Sequence, residues 1–171
     1  MRIFTLFTVA CSFLVLFAST ASAAGEPKRI GAYGDWSVYV LSEGGGKVCY
    51  MVSEPKKSEG KYKTRSKAYA LLTNRPSDGT KNVFSFIAGY DYPDDSRIEL
   101  SVDGNKFTLY TQKDTAWAQD DAADNSIAQA IRSGSSMVVK GTSSRGTQTV
   151  DTFSLRGSGA AQDAVTKECG S

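Results

Sequence analysis

The sequence predicts an all-β domain, a sandwich or barrel of about eight short strands with one or two short helices, behind a cleaved signal peptide. Three observations carry that expectation. Apolar residues recur at period two along successive runs. Turn formers separate the runs at near-regular spacing. The clearest run pair, Ser136 to Leu155, reads as a complete hairpin: Met137-Val138-Val139 going out, Val150, Phe153 and Leu155 coming back. Ser143, Ser144 and Gly146 form the turn between them, where glycine takes a positive φ without steric cost.

Met1 to Ala23 has the build of a secretory signal. Arg2 gives a positive start, Ile3 to Phe17 an apolar run too short for a comfortable membrane span, and Ala21-Ser22-Ala23 a small-residue cleavage site. Residues 24–171 then form a single domain. Ala24 to Gly31 is a polar leader, expected to be extended and mobile. Trp36, Val38 and Val40 alternate in the first strand, and Lys47 to Ser53 returns beside it across a glycine turn. Pro55 to Lys67 carries six basic residues and one glutamate, which reads as an exposed, mobile loop. Ala68 to Asn74 is a continuous apolar run and therefore a buried strand. Asn82 to Gly89 is another, with an aromatic face. Arg97 to Val102 and Lys106 to Thr111 make a second hairpin around Asp103-Gly104-Asn105. Ile127, Ala130 and Ile131 give a helical stripe, with Asp124 as the expected cap and Gly134 as the stop. Ala160 to Lys167 is a second, shorter helix.

Composition narrows the chemistry. The formal charge is +2, so no global field draws the chain to nucleic acid. Histidine is absent, which removes imidazole acid–base catalysis, Ser-His-Asp triads and His-ligated zinc. Of three cysteines, Cys11 leaves with the signal, and Cys49 and Cys169 remain. In an oxidising compartment two thiols most simply form one disulfide, here tying an early strand to the chain's end; two free thiols are the alternative.

Three groups are candidate sites. Lys56, Lys57, Lys61, Lys63, Arg65 and Lys67, with Arg145 on the hairpin turn, could grip an acidic partner, or be only a solvated basic surface. Asp91, Asp94 and Asp95, and later Asp114, Asp120, Asp121 and Asp124, are oxygen-rich but lack calcium-loop spacing and suit turns and caps. Tyr90, Tyr92 and Trp117 stand near strand ends, as a partner patch or as rim packing. Ser58-Glu59-Gly60-Lys61 fits the S-x-x-K pattern of penicillin-binding enzymes, but in a basic loop rather than at a buried helix, so it reads as chance.

Gly34-Asp35-Trp36, Ala88-Gly89-Tyr90, Ala116-Trp117-Ala118 and above all Met137 to Leu155 resemble the invasion-associated locus B proteins of alphaproteobacteria. The likeness runs from about Tyr33 to Cys169. It implies an exported protein with an immunoglobulin-like β-sandwich. In pathogenic members it implies a contribution to host-cell entry, with no established catalytic site. Many members carry a cysteine soon after Gly-Asp-Trp, where Tyr39, Val40 and Leu41 stand here, so the Cys49–Cys169 pairing rests on this chain's own thiols. The resulting expectation is a periplasmic or secreted interaction protein that is not an enzyme. It uses no cofactor or metal and meets a protein or glycan at the envelope or host surface. An envelope-housekeeping module that never meets a host is the alternative.

Overall fold

The computed structural model describes residues 25–170. The expected signal peptide, Met1 to Ala23, and the expected cleavage after Ala23 lie outside the described residues. The strands are β1 (Lys28–Tyr33), β2 (Trp36–Glu43), β3 (Gly46–Ser53), β4 (Lys57–Gly60), β5 (Tyr69–Arg75), β6 (Thr80–Ile87), β7 (Arg97–Val102), β8 (Asn105–Gln112), β9 (Thr115–Trp117), β10 (Ser136–Thr142) and β11 (Gln148–Ser154). The helices are α1 (Asp121–Ser133) and α2 (Ser158–Cys169). The strands form one sheet in the order β1-β2-β3-β5-β6-β9-β8-β7-β10-β11-β4. Every pairing is antiparallel, so short turns suffice for most connections.

The sheet doubles back on itself to make two layers. Strands β6 and β11 are far apart in the ladder, yet Phe86 and Phe153 meet edge to face with ring centroids 6.1 Å apart. Trp36 of β2 likewise donates its indole N–H to the carbonyl of Ser154 at 3.2 Å. Trp36, Val38, Met51, Leu72, Phe84, Phe86, Leu100, Met137, Val139 and Phe153 are essentially buried, while Val40 and Val150, which the alternation grouped with the inward residues, are only half-buried. Each large apolar side chain among them contributes about 1.5–3 kcal/mol by leaving water. The helices close the core through Ile127 and Ile131 of α1 and Ala161 and Val165 of α2. Ser158 donates to the carbonyl of Ile131 at 2.6 Å and locks the two helices together.

The predicted β-sandwich stands, with eleven strands rather than about eight. The three additions carry weak apolar signals. Strand β1 lies in the expected mobile leader; it is a mostly exposed edge held by its ladder to β2. Strand β4 lies inside the expected mobile loop and is exposed throughout, held by its ladder to β11. Strand β9 has only three residues. Edge strands are held by backbone hydrogen bonds, which leave no hydrophobic periodicity.

Helix α1 begins one turn earlier than expected. Asp120 is its cap, accepting the Ala123 N–H at 2.8 Å. Asp124 instead points inward and accepts the Phe84 N–H at 2.8 Å; burial pushes its carboxyl up. Helix α2 brings Cys169 to Cys49, and the two form a disulfide with Cα atoms 5.9 Å apart across 120 positions. The free-thiol alternative falls.

The Gly34-Asp35-Trp36 segment acts as a staple between the first and last strands. Gly34 has φ +57°, and a Cβ there would sit 2.3 Å from the carbonyl oxygen of Arg156. That close approach lets the Asp35 N–H donate to the same oxygen at 3.0 Å. The Asp35 carboxylate then receives Lys56 at 2.6 Å and Arg156 at 3.3 Å. Lys56 first, and Arg156 and Ser154 after it, hold the Asp35 carboxyl far below the usual carboxylate range.

Candidate functional site

An open cleft of about 690 Å³ lies at one end of the sandwich. Four segments line it: residues 61–66 after β4, 89–91 after β6, Asp114 in the β8–β9 turn, and the β10–β11 turn. Backbone hydrogen bonds zip these segments together. Ser66 N–H donates to Gly89 O at 3.1 Å, Ser144 N–H to Asp91 O at 2.7 Å, and Ala88 N–H to Asp114 O at 2.8 Å. Gly89 has φ +74°, and a Cβ there would meet the carbonyl oxygen of Ser66 at 2.2 Å, so the contact needs glycine. The hairpin turn closes by Ser143 N–H to Thr147 O at 2.9 Å, and the Ser143 hydroxyl accepts the Thr147 N–H.

Arg65 is the pin beneath this assembly. Its side chain is 5% exposed and pairs with Asp151, which is 0% exposed. Nη1 and Nη2 donate to the two carboxylate oxygens of Asp151 at 2.8 and 2.7 Å, a bidentate pair. Nε donates to the carbonyl of Ala88 at 2.6 Å. The guanidinium also lies 4.9 Å from the Tyr90 ring and 5.7 Å from the Tyr62 ring. Tyr90 is in turn fixed by a 2.7 Å hydroxyl contact with Thr149. The second partner of Asp151 is Ser58, whose hydroxyl donates to Oδ1 at 2.6 Å.

The predicted basic residues therefore part company. Arg65 belongs to the interior: the Asp151 carboxylate draws it under the loop, which corrects the expectation of a wholly exposed, mobile segment. Lys56 is drawn to Asp35, Lys57 to Glu59 at 2.9 Å and Lys67 to Glu54 at 3.1 Å. Lys61, Lys63 and Arg145 come together on the cleft, and among the described residues none of them makes an ion pair. Arg65 and Asp151 as partners were missed from the sequence, though a signal existed. Asp151 shares its strand face with Phe153 and Leu155, and a carboxylate at an inward position needs a cation.

The other candidates divide in the same way. Tyr90 lines the cleft, while Tyr92 is packed behind it, with rings 5.1 Å apart and no hydrogen-bond partner for its hydroxyl among the described residues. Burial pushes the Tyr92 phenol well up. Trp117 pairs with Tyr110 across β8 and β9, away from the cleft lining. Ser58 is committed to Asp151 rather than to Lys61, so the S-x-x-K spacing builds no nucleophile. Among the described residues no three acidic or cysteine side chains gather to hold a metal, and no helix is long and apolar enough to cross a membrane.

Comparison with known proteins bears on the whole arrangement. The family model described as "Invasion associated locus B (IalB) protein" matches residues 36–166. No curated protein matches the chain at a significant level. Among solved structures, the crystal structure of invasion associated protein b from Bartonella henselae is similar in fold, with TM-score 0.54 and 19% identity. It covers 81% of this chain and 97% of that one.

Proposed function

Because the chain belongs to the invasion associated locus B family, we propose that it is an exported, non-enzymatic interaction protein that uses the four-segment cleft to hold an anionic partner at the cell envelope or a host surface. One observation carries this reading: the fold neutralises Lys56, Lys57, Arg65 and Lys67 and leaves Lys61, Lys63 and Arg145 facing one cleft. The disulfide fits an oxidising compartment, and the match to an exported family fits the sequence of the signal segment. The absence of histidine and the commitment of Ser58 to Asp151 argue against a hydrolase.

The test compares two charge reversals of equal size. Lys61→Glu/Lys63→Glu/Arg145→Glu is expected to lose binding to host-cell membranes or to the protein's own envelope fraction, with an unchanged melting temperature. Lys28→Glu/Lys57→Glu/Lys81→Glu, away from the cleft and the hollow beside it, is expected to keep it. Equal losses from both variants would reduce the effect to net charge, and no loss from the first would remove the cleft from the account. Running both membrane sources side by side separates a host role from an envelope-housekeeping one.

A further inference from the structure

We propose that the ligand of this cleft is an oligosaccharide bearing sugar carboxylates, an inference that rests on reading the cleft as the working surface. Charge is the first argument. Lys61, Lys63 and Arg145 share the cleft lining with Asp91 and Asp114, and Arg65 is spent on Asp151. The surplus is one positive charge. A densely charged polyanion would meet two carboxylates it must desolvate or repel, whereas a sugar chain carries an occasional carboxylate among many hydroxyls. The cations suit the carboxylates, and Asp91 and Asp114 suit the hydroxyls as acceptors.

The rest of the lining points the same way. Its side chains are charged, hydroxylic or tyrosine, and no aliphatic side chain, phenylalanine or tryptophan is among them. A protein partner normally buries an apolar or aromatic anchor in a desolvated pocket at the centre of its interface, and no aliphatic side chain lines this cleft to receive one. Tyr62 supplies what a sugar uses instead. The residue is 36% exposed and lines both the main cleft and a smaller hollow of about 220 Å³. A partly exposed ring can present a flat face to the C–H side of a pyranose. The volume of about 690 Å³ falls in the range of small-ligand sites. The lining is also prepared in advance: Arg65 fixes one segment from below, and the backbone bonds among the four segments fix the rest, so little ordering is left for binding.

Two sources share this chemistry, uronate-containing polysaccharide and sialylated glycan, and the experiment separates them. The labelled mature protein is titrated, with NMR readout, against a hexasaccharide of alternating glucuronate and N-acetylglucosamine and against 3′-sialyllactose. The carboxyl-reduced hexasaccharide, lactose and a poly-glutamate peptide serve as comparators. The expected result is shifts confined to residues 61–66, 89–91 and 143–147 with one or both carboxylated sugars. Removing the carboxylate, or introducing Arg145→Ala, should weaken binding about tenfold, one charge-assisted hydrogen bond's worth. Tyr62→Ala should weaken it with the charge untouched. Equal binding of the neutral sugars, or tighter binding of the peptide at the same resonances, would overturn the saccharide assignment. So would no cleft shifts with either sugar while the charge-reversed cleft still loses envelope binding; the cleft reading would then survive. Normal envelope binding by the charge-reversed protein would bring down both.

Discussion

Arg65→Met is the substitution that interrogates the site's construction. It removes three hydrogen bonds of 2.6–2.8 Å. It also leaves Asp151, at 0% exposure, with the Ser58 hydroxyl in place of its cation. Breaking a buried pair from one side costs about 3–5 kcal/mol, because the remaining charge is stranded. For a domain of this size that is about 6–20 °C in melting temperature. The pair itself is a different quantity. Two charges withdrawn from water repay much of their attraction as desolvation, so Arg65→Met/Asp151→Leu is expected to recover most of the loss. Urea unfolding followed by tryptophan fluorescence, run on both single variants and the double, measures the coupling. If Arg65→Met costs less than about 1 kcal/mol, the value of an exposed pair, the pin is not buried as described. If the two single losses simply add in the double, the residues do not act as a pair.

Three further outcomes follow from the fold. Replacing Cys49 and Cys169 by alanine is expected to cost about 2–5 kcal/mol, since a closed loop of 120 positions no longer restrains the unfolded chain; unchanged denaturation in reducing and oxidising buffer would contradict the bond's role. Gly34→Ala is expected to destabilise by about 2 kcal/mol or more, from left-handed strain and the contact with the Arg156 carbonyl, read by thermal unfolding. Asp35 titrates lower in the folded chain than its ordinary 3.8, so its ion pairs stabilise above that pH and are lost as pH falls below it. Stability measured at pH 7 and pH 3 should therefore drop more for the natural protein than for Asp35→Asn, and equal drops would deny the linkage.

The architecture was largely legible because burial writes itself into sequence at period two. Trp36, Val38, Phe84, Phe86 and Phe153 were placed inward by alternation and are inward. The polar edge strands were not legible: β1 and β4 satisfy their backbones on a neighbour and expose their side chains, leaving no pattern to read. The cap of α1 was misplaced for a related reason, since three aspartates crowd its first turn and only the fold decides which turns inward. For the site, the sequence offered seven basic residues of equal standing. What sorts them is the position of Asp35, Glu54 and Asp151, brought near by folding, together with Glu59 two residues along β4 from Lys57.

The proposed use of the cleft as the working surface is tested most directly by a footprint on the native partner. Hydrogen–deuterium exchange of residues 24–171, free and mixed with the membrane fraction that the binding assay selects, reads protection along the chain. The prediction is slowed exchange at residues 61–66, 89–91 and 143–147, with the outward backbone of β2 and β3 unchanged. Protection on those strands, with the cleft segments exchanging as in the free protein, would contradict it.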